Sequence, residues 1–486
     1  MVGWADHTTG RYTLSRMTTI NTKPSSIRNT VVIIGGGLAG IAAAVALAQR
    51  GISVALIEAR KKLGGRAMSF IDLPTGLEFD NAQHVLLRCC TNMIDLYKRL
   101  GVDNKIQWHD KLFFAGIDSR IDTLKSSILP PPLHLLPSLI MFRNYTLKEK
   151  FAIARAMTAA LRTGRKNRIA YSEINFMAWL KKHHQPASTI ERFWRKLIVS
   201  ACNEPLETVA ARYGLQVLQD GLLADRTSYE IGVSTVPLCH LYETAIPIIN
   251  QAGANALLGT SAQSLAMQGS RISQVKLNNN QVISGDYFVS TIPFDRLAKL
   301  VSPAMVDMDS RLQYLNQFQV SPIIAVHLFI EAEAGNPAMT LPHVMTLDGP
   351  LDWVFNKGFV SLSDNISCQY LQVVISAAGN WVDHPSSQIV AMARQELTRS
   401  LPVLARKKLA YSRVIKEKRA TFALKTGIDQ YRPDTNGEIS NLFIAGDWTD
   451  TGWPATMEGA VRSGYRAGEM ILKSLGRQDA ALLVTP

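Results

Sequence analysis

The spacing of apolar residues changes from a strand period to a helix period and back within the first part of the chain. Val31 to Ile34 is continuously apolar behind Thr30, as a parallel strand covered on both faces requires, and Leu38 to Arg50 is Ala- and Leu-rich with no internal breaker, which predicts a helix. The run "ISVALIEA" then predicts a second strand, with Glu58 at its end. Far down the chain "NLFIAG" repeats the first step: a short apolar strand, a loop of Gly, Pro and Trp, and a helix that begins near Thr456. Ala254 to Phe294 reads as strand, turn, strand, turn and strand, with the tight turn at Asn278 to Asn280. "CTNMIDLYKRL" and "KEKFAIARAMTAALR" carry helical spacing, whereas "SPIIAVHLFI", "LDWVFNKGF" and "CQYLQVVISAA" alternate or run apolar and predict a sheet.

With 486 residues, 47% of them apolar, the chain holds enough hydrophobic material for more than one lobe. Residues 1–29 stand apart: polar, rich in Ser and Thr and without the apolar core of a signal peptide, they read as a loose, flexible extension in which Met17 is a second candidate start. No apolar run is long enough to span a bilayer. The five cysteines, Cys89, Cys90, Cys202, Cys239 and Cys368, form no C-x-x-C pair and read as reduced thiols of a cytosolic protein; no metal constellation stands out.

The net charge of +13 fits either a nucleic acid or an anionic membrane as partner. Much of the excess lies in Pro130 to Arg168, where Leu, Ile, Met and Phe are interleaved with Arg143, Lys148, Lys150, Arg155, Arg162, Arg165, Lys166 and Arg168. Apolar side chains for the acyl region beside cations for the headgroups predict peripheral binding to an anionic membrane from the cytoplasm; the alternative is an ordinary surface helix packed on a core. Nucleic-acid binding has no supporting motif.

Between the first strand and helix stand Gly35, Gly37 and Gly40 in G-x-G-x-x-G register. The three glycines serve a tight turn, close backbone approach to a pyrophosphate, and close helix-to-strand packing, and the helix start at Leu38 and Ala39 turns its positive end to the anion. Glu58, 58 − 40 = 18 residues past the last glycine, is placed to accept from a ribose hydroxyl, and Ala59 and Arg60 follow it. This unit alone leaves NAD and FAD open. "KKLGGRAMS" comes next: Gly64 and Gly65 permit a second close approach of backbone to ligand, and Arg66 offers a forked guanidinium to a phosphate.

In this order of G-x-G-x-x-G, Glu and G-G-R the chain resembles the FAD-dependent amine oxidases and carotenoid-type desaturases, which puts FAD ahead of NAD. The far end agrees: after Gly446, Asp447 can accept from a ribityl hydroxyl, and the helix start at Thr456 and Met457 brings a positive dipole end to the flavin. "DNAQHVLLRCCTNMIDLYKRLG", "WRKLIVSACNEP", "WVFNKG" and "AGDWTDTGWPATMEGAVRSGY" together resemble the squalene-associated FAD-dependent desaturases, the hydroxysqualene dehydroxylase family, from about Val31 to Leu472. The chain departs from that pattern at Ala82, where Gly is expected, and at Arg88-Cys89-Cys90, where a Gly usually comes first.

The resemblance implies an α/β fold: a Rossmann-like FAD domain in three pieces (30–88, 245–300 and 412–478), and a mixed second lobe made of a helical, membrane-facing part (89–244) and a sheet (301–411), with a tail at 479–486. The backbone near Ala262 would meet the adenine. The implied reaction removes the hydroxyl of hydroxysqualene with reduced FAD as donor, on an isoprenoid supplied by squalene- or phytoene-synthase-like enzymes. His84 is then the expected proton donor, with Asp80 orienting it or the flavin and Glu204, beside Asn203, a second polar candidate; the alternatives are that Asp80 and Asn81 only cap or turn the backbone and that Glu204-Pro205 only ends a helix, while Trp353, Trp448 and Trp453 either face the cation or the flavin or belong to the core. Rival readings are a phytoene-type desaturase, an amine oxidase, and a flavin-free binder of prenylated proteins.

Overall fold

A computed structural model of the chain describes residues 30–116, 118–253, 255–362 and 366–485. The leader at 1–29, with Met17, lies outside the described residues. Five parallel strands make the first sheet, in the order Ala256–Leu258, Ser53–Glu58, Thr30–Ile34, Tyr287–Ser290 and Leu442–Ile444. The continuous apolar run of the first strand follows from two-sided burial: Val31 and Ile33 enter one core, Val32 and Ile34 another. The helix Leu38–Ala48 is buried along its whole length. It packs against the C-terminal helix Met457–Ser474, where a Cβ on Gly464 would lie only 2.1 Å from the Ala39 carbonyl oxygen.

Three antiparallel strands, Ala262–Gln268, Arg271–Leu277 and Val282–Ser284, flank this sheet, and Asn280 takes the left-handed conformation (φ 65°) in the expected tight turn. The second lobe is built on a seven-stranded sheet ordered Leu409–Phe422, Val320–Glu331, Ser367–Ile375, Trp353–Ser361, His343–Thr346, Lys111–Ala115 and Ile121–Lys125. The helices Thr91–Arg99 and Leu147–Thr163 form where helical spacing predicts them.

Two expectations are corrected here. The stretch 89–244 is not purely helical: Lys111–Ala115 and Ile121–Lys125 complete the large sheet, and Ile106–His109 and Ile231–Ser234 join Val85–Leu87 in a small one. These strands are too short for their period-two pattern to stand out. Residues 412–422, read as cofactor domain, belong instead to the edge strand Leu409–Phe422, whose Lys416, Lys418 and Arg419 are the charged residues an exposed sheet edge carries.

Candidate flavin cleft and active site

The first strand delivers the chain into a loop whose glycines are fixed by contact. A Cβ on Gly35 would lie 2.7 Å from Thr291 Oγ1, and one on Gly40 only 1.9 Å from the Gly35 carbonyl oxygen. Gly36, which the fingerprint leaves unspecified, is equally confined, by Leu63 Cδ2 at 2.6 Å and Glu58 Cβ at 2.9 Å. Gly37 differs: its Cβ would meet only Gly65 Cα, at 3.9 Å, so the space beside it is open. Behind Gly37 the helix starts at Leu38, Ala39 and Gly40 with no side-chain cap and no acidic residue in its first turn. An open cradle facing an uncapped, positive helix end is the complement of a pyrophosphate.

Glu58 closes this cradle by accepting from Gly36 N at 2.6 Å and Arg60 N at 2.7 Å. Each carboxylate oxygen has a second lone pair for a ribose hydroxyl. Gly259 N and Thr260 N donate to the Arg60 and Glu58 carbonyls, both at 2.9 Å, which leads Ala262 in beside the same end of the sheet. Ala59 is exposed, and Arg60 donates from Nη1 to the Gly65 carbonyl at 2.7 Å.

The G-G-R segment packs directly on the first glycine loop. Gly64 and Gly65, both at positive φ, approach the first glycine loop rather than open space: Gly64 N donates to the Gly36 carbonyl at 2.9 Å, and a Cβ on Gly65 would lie 2.9 Å from Gly37 Cα. Arg66 and Asp447, assigned from sequence to a phosphate and a ribityl hydroxyl, are paired with each other across 381 positions of sequence. Arg66 also donates to the Ala420 carbonyl at 2.9 Å. Asp447 beside it holds Arg66 firmly charged despite burial. The partner loop is held by Arg432, unforeseen from sequence, which donates to the Asp447 carbonyl at 3.1 Å and to Tyr213 Oη at 2.6 Å. Gly446 sits at φ 143°, where a Cβ would meet Trp448 Nε1 at 2.6 Å. Thr456 caps the C-terminal helix by accepting from Gly459 N, and Met457 is its first residue.

The expected catalytic residues are distributed otherwise than proposed. Asp80 accepts from Ser69 Oγ at 2.8 Å and from Leu238 N at 2.9 Å, so its carboxylate anchors the hairpin Ser69–Ile71 and Glu78–Asp80 and makes no hydrogen bond to His84. His84 Nδ1 lies 3.0 Å from the Ala82 carbonyl, and burial pushes the imidazole below its ordinary range, which favours the neutral ring over the proton-donating imidazolium. Glu204 accepts from Thr208 Oγ1 at 2.8 Å, and burial raises its carboxyl. Its neighbour Asn203 is structural: it ends the helix Lys196–Cys202 in the left-handed conformation and bonds Thr421 Oγ1, the Ser321 carbonyl and Ala377 N. Trp448 is core, 1% exposed and edge-on to Phe294 and Phe318; Trp453 lies under Arg462, and Trp353 stacks on Phe355.

Gln83 and Lys357, outside the expected set of site residues, meet beside His84. Lys357 donates to Gln83 Oε1 at 3.1 Å, and Gln83 Nε2 donates to the His84 carbonyl at 3.0 Å. Arg66, His84 and Lys357 are enclosed deeply enough for desolvation to act on each, yet all keep partly accessible surface. Arg66 and Asp80 act on His84, and Asp80 acts on Lys357, so these groups form one cluster. The signal for Lys357 was a lone cation followed by glycine in an aromatic strand, "WVFNKG".

The residues present therefore fit FAD: the Gly37 cradle and the uncapped helix for the pyrophosphate, Glu58 for the ribose, and the Arg66–Asp447 pair with the Thr456 helix start at the far end. The profile of the flavin containing amine oxidoreductases matches residues 38–472. Hydroxysqualene dehydroxylase of Rhodopseudomonas palustris is 26% identical over 454 residues, covering 91% of this chain and 98% of its own. 15-cis-Phytoene desaturase of Synechococcus elongatus is 24% identical over 473 residues, covering 92% and 96%. Among solved structures, an oxidoreductase from Methanosarcina mazei superposes with a TM-score of 0.67 at 16% identity, over 92% of this chain and all of its own. Putrescine oxidase with bound putrescine does so with 0.67 at 16% identity, over 91% and 99%. The chain thus belongs to the flavin containing amine oxidoreductase family, as an FAD-dependent oxidoreductase related to hydroxysqualene dehydroxylases and phytoene desaturases.

Proposed function

We propose that this protein removes the hydroxyl of a long allylic isoprenoid alcohol, with hydroxysqualene as substrate and squalene as product. The observation that carries the reading is the composition of the sheet face that holds Lys357. On one face of the large sheet Phe114, Met345, Trp353, Phe355 and Val374 pack into the same apolar core, and Lys357 is a cation set into that face. An apolar wall suits a C30 chain, and a single cation suits one polar substituent. His327 and His343, on the same sheet, are pushed by burial down to about 3 and about 4 and stay neutral. When bound, reduced FAD supplies the hydride that replaces the hydroxyl. The protein's part is to hold the chain, exclude water from the carbocation left by the departing oxygen, and give that oxygen a proton.

A phytoene-type desaturase is the second reading, favoured by relatives of that name at similar identity. Anaerobic incubation of the FAD-reduced protein with hydroxysqualene, and of the oxidised protein with phytoene, separates the two. Squalene from the first and no loss of hydrogen in the second is expected; the opposite pair of results overturns the reading.

Such a substrate dissolves in a bilayer, and the surface between residues 121 and 174 is suited to collect it there. Ile128, Leu133, Ile140, Met141, Leu147 and Phe151 are between 49% and 90% exposed. On the helix Leu147–Thr163 the exposed stripe Leu147, Phe151, Arg155 and Arg162 continues apolar side chains into cations, while Ala152, Ile153, Ala156 and Ala160 face the core. No helix among the described residues is long and apolar enough to cross a membrane. This face therefore docks on an anionic bilayer from the cytoplasmic side. Vesicles with phosphatidylserine should sediment the protein and neutral vesicles should do so less; salt, or Phe151→Ser with Leu147→Ser, should release it. Binding unchanged by salt and by both substitutions overturns the docking.

A further inference from the structure

We propose that Lys357 is the acid that protonates the departing hydroxyl, in place of His84; this rests on the dehydroxylation reading above. The strand Trp353–Ser361 pairs regularly with Ser367–Ile375 until Asn356, opposite Leu371; the next pair is Phe359 with Gln369. Lys357 and Gly358 together therefore oppose the single residue Tyr370, a β-bulge. Its geometry is specified by two features. Gly358 takes φ 89°, and its N–H donates to Asn356 Oδ1 at 3.0 Å while Asn356 Nδ2 donates to the Met339 carbonyl at 3.1 Å. Lys357 follows Trp353 and Phe355 at period two, so it lies on their face of the sheet, and the bulge shifts the alternation only beyond it. Here the ammonium is brought to the loop that follows the hairpin of the cofactor domain, where Gln83 holds it.

The ammonium has three N–H donors and makes one hydrogen bond among the described residues, with no ion pair. The groups that act on it or oppose it are Asp80 on the hairpin, His327 on a strand of the same sheet and Tyr370 on the paired strand, with His84 next to Gln83 in the loop. Asp80 is already committed to Ser69 and Leu238, His327 Nδ1 is 2.6 Å from Tyr370 Oη, and His84 Nδ1 is turned to Ala82. Lys357 is thus the cation in this recess with protons to spare. Burial lowers its affinity for the proton, with Asp80 opposing, which makes it a stronger acid than a surface lysine.

The step balances as follows. The carbon–oxygen bond breaks with both electrons going to oxygen, which takes one proton from Lys357 Nζ and leaves as water. The carbon is left as an allylic cation that receives the hydride already assigned to the reduced flavin. Lys357 is left neutral and regains its proton from solvent.

The test compares hydroxysqualene with its analogue carrying chlorine in place of the hydroxyl, since chloride leaves without a proton. Both are offered anaerobically to the FAD-reduced wild-type, Lys357→Met and Lys357→Arg proteins, with flavin content and visible spectrum recorded for each. Both variants should keep FAD and its spectrum, lose on the order of 100-fold or more in squalene formation from the alcohol, and stay within about threefold of wild type on the chloride. The arginine variant keeps the charge but cannot give up the proton. In the wild type, turnover of the alcohol should fall with rising pH as Lys357 deprotonates, and turnover of the chloride should not. Undiminished turnover of the alcohol, or equal losses on both substrates with FAD still bound, overturns the role of Lys357. Wild-type protein that forms no squalene from the alcohol overturns the dehydroxylation reading itself, and Lys357 with it.

Discussion

On the cofactor side of the cleft the important residues are neighbours in sequence: Gly35 to Gly40, Glu58, then Gly64 to Arg66. On the opposite side Lys357 stands on the face that Trp353 and Phe355 share by strand alternation, and Gln83, from a different domain, receives it. The first wall is specified by backbone geometry that a few glycines satisfy locally. The second is specified by strand register, which depends on partners far away in the chain. The difference predicts that the two walls fail differently when altered.

The largest effects belong to the glycine loop, and they divide in two. Gly40→Val drives a side chain into the Gly35 carbonyl and should prevent folding, seen as loss of soluble protein or of its cooperative thermal transition. Gly37→Val points into the open cradle; the protein should fold with a Tm close to that of the wild-type apoprotein and bind no FAD, read from its absorbance. A Gly37→Val protein that stays fully yellow would contradict the cradle. Next in size is the Arg66–Asp447 pair, two remote segments joined at the flavin end. Asp447→Ala leaves a guanidinium without its carboxylate and should weaken FAD binding by roughly tenfold or more, measured by titrating apoprotein.

The smallest effect is a pH dependence of the second wall. His327 and His343 are buried and held near pKa values of about 3 and about 4, against 6.5 for an unperturbed imidazole. Between these values and 6.5 the unfolded chain binds the protons and the folded protein does not. Their stabilisation is therefore complete above pH 6.5 and is lost as the pH falls toward 4 and then 3, at up to about 1.4 kcal/mol per pH unit for each histidine. Chemical denaturation between pH 7 and pH 5 should show this slope, and His327→Phe, which fits beside Phe79 and stacked Phe329–Tyr370, should make it shallower. An unchanged slope would mean that His327 is protonated in the folded protein.

The same contrast explains what the sequence disclosed. The strand, helix, strand and carboxylate order fixed the cofactor domain because each signal is local, and the Asn278 to Asn280 turn was readable for the same reason. Arg66 and Asp447 were legible as important residues, but not as each other's partner, since 381 positions separate them. His84 stood out by type, yet its burial and its turn toward Ala82, which argue against it as an acid, are properties of the folded chain. Lys357 carried only the faint mark of a cation and a glycine at the end of an aromatic run; its placement needed the register of two strands and the Asn356 turn. The edge strand Leu409–Phe422 was missed because its outward charges hide an extended segment.

The central claim is that hydride replaces hydroxyl in this cleft, and isotope transfer tests it most directly. In deuterium oxide the transferable hydrogen of the reduced flavin exchanges with solvent, so anaerobic single turnover of hydroxysqualene should give squalene carrying one deuterium at the former carbinol carbon. Squalene without that deuterium, or a product that has lost further hydrogen, would contradict it.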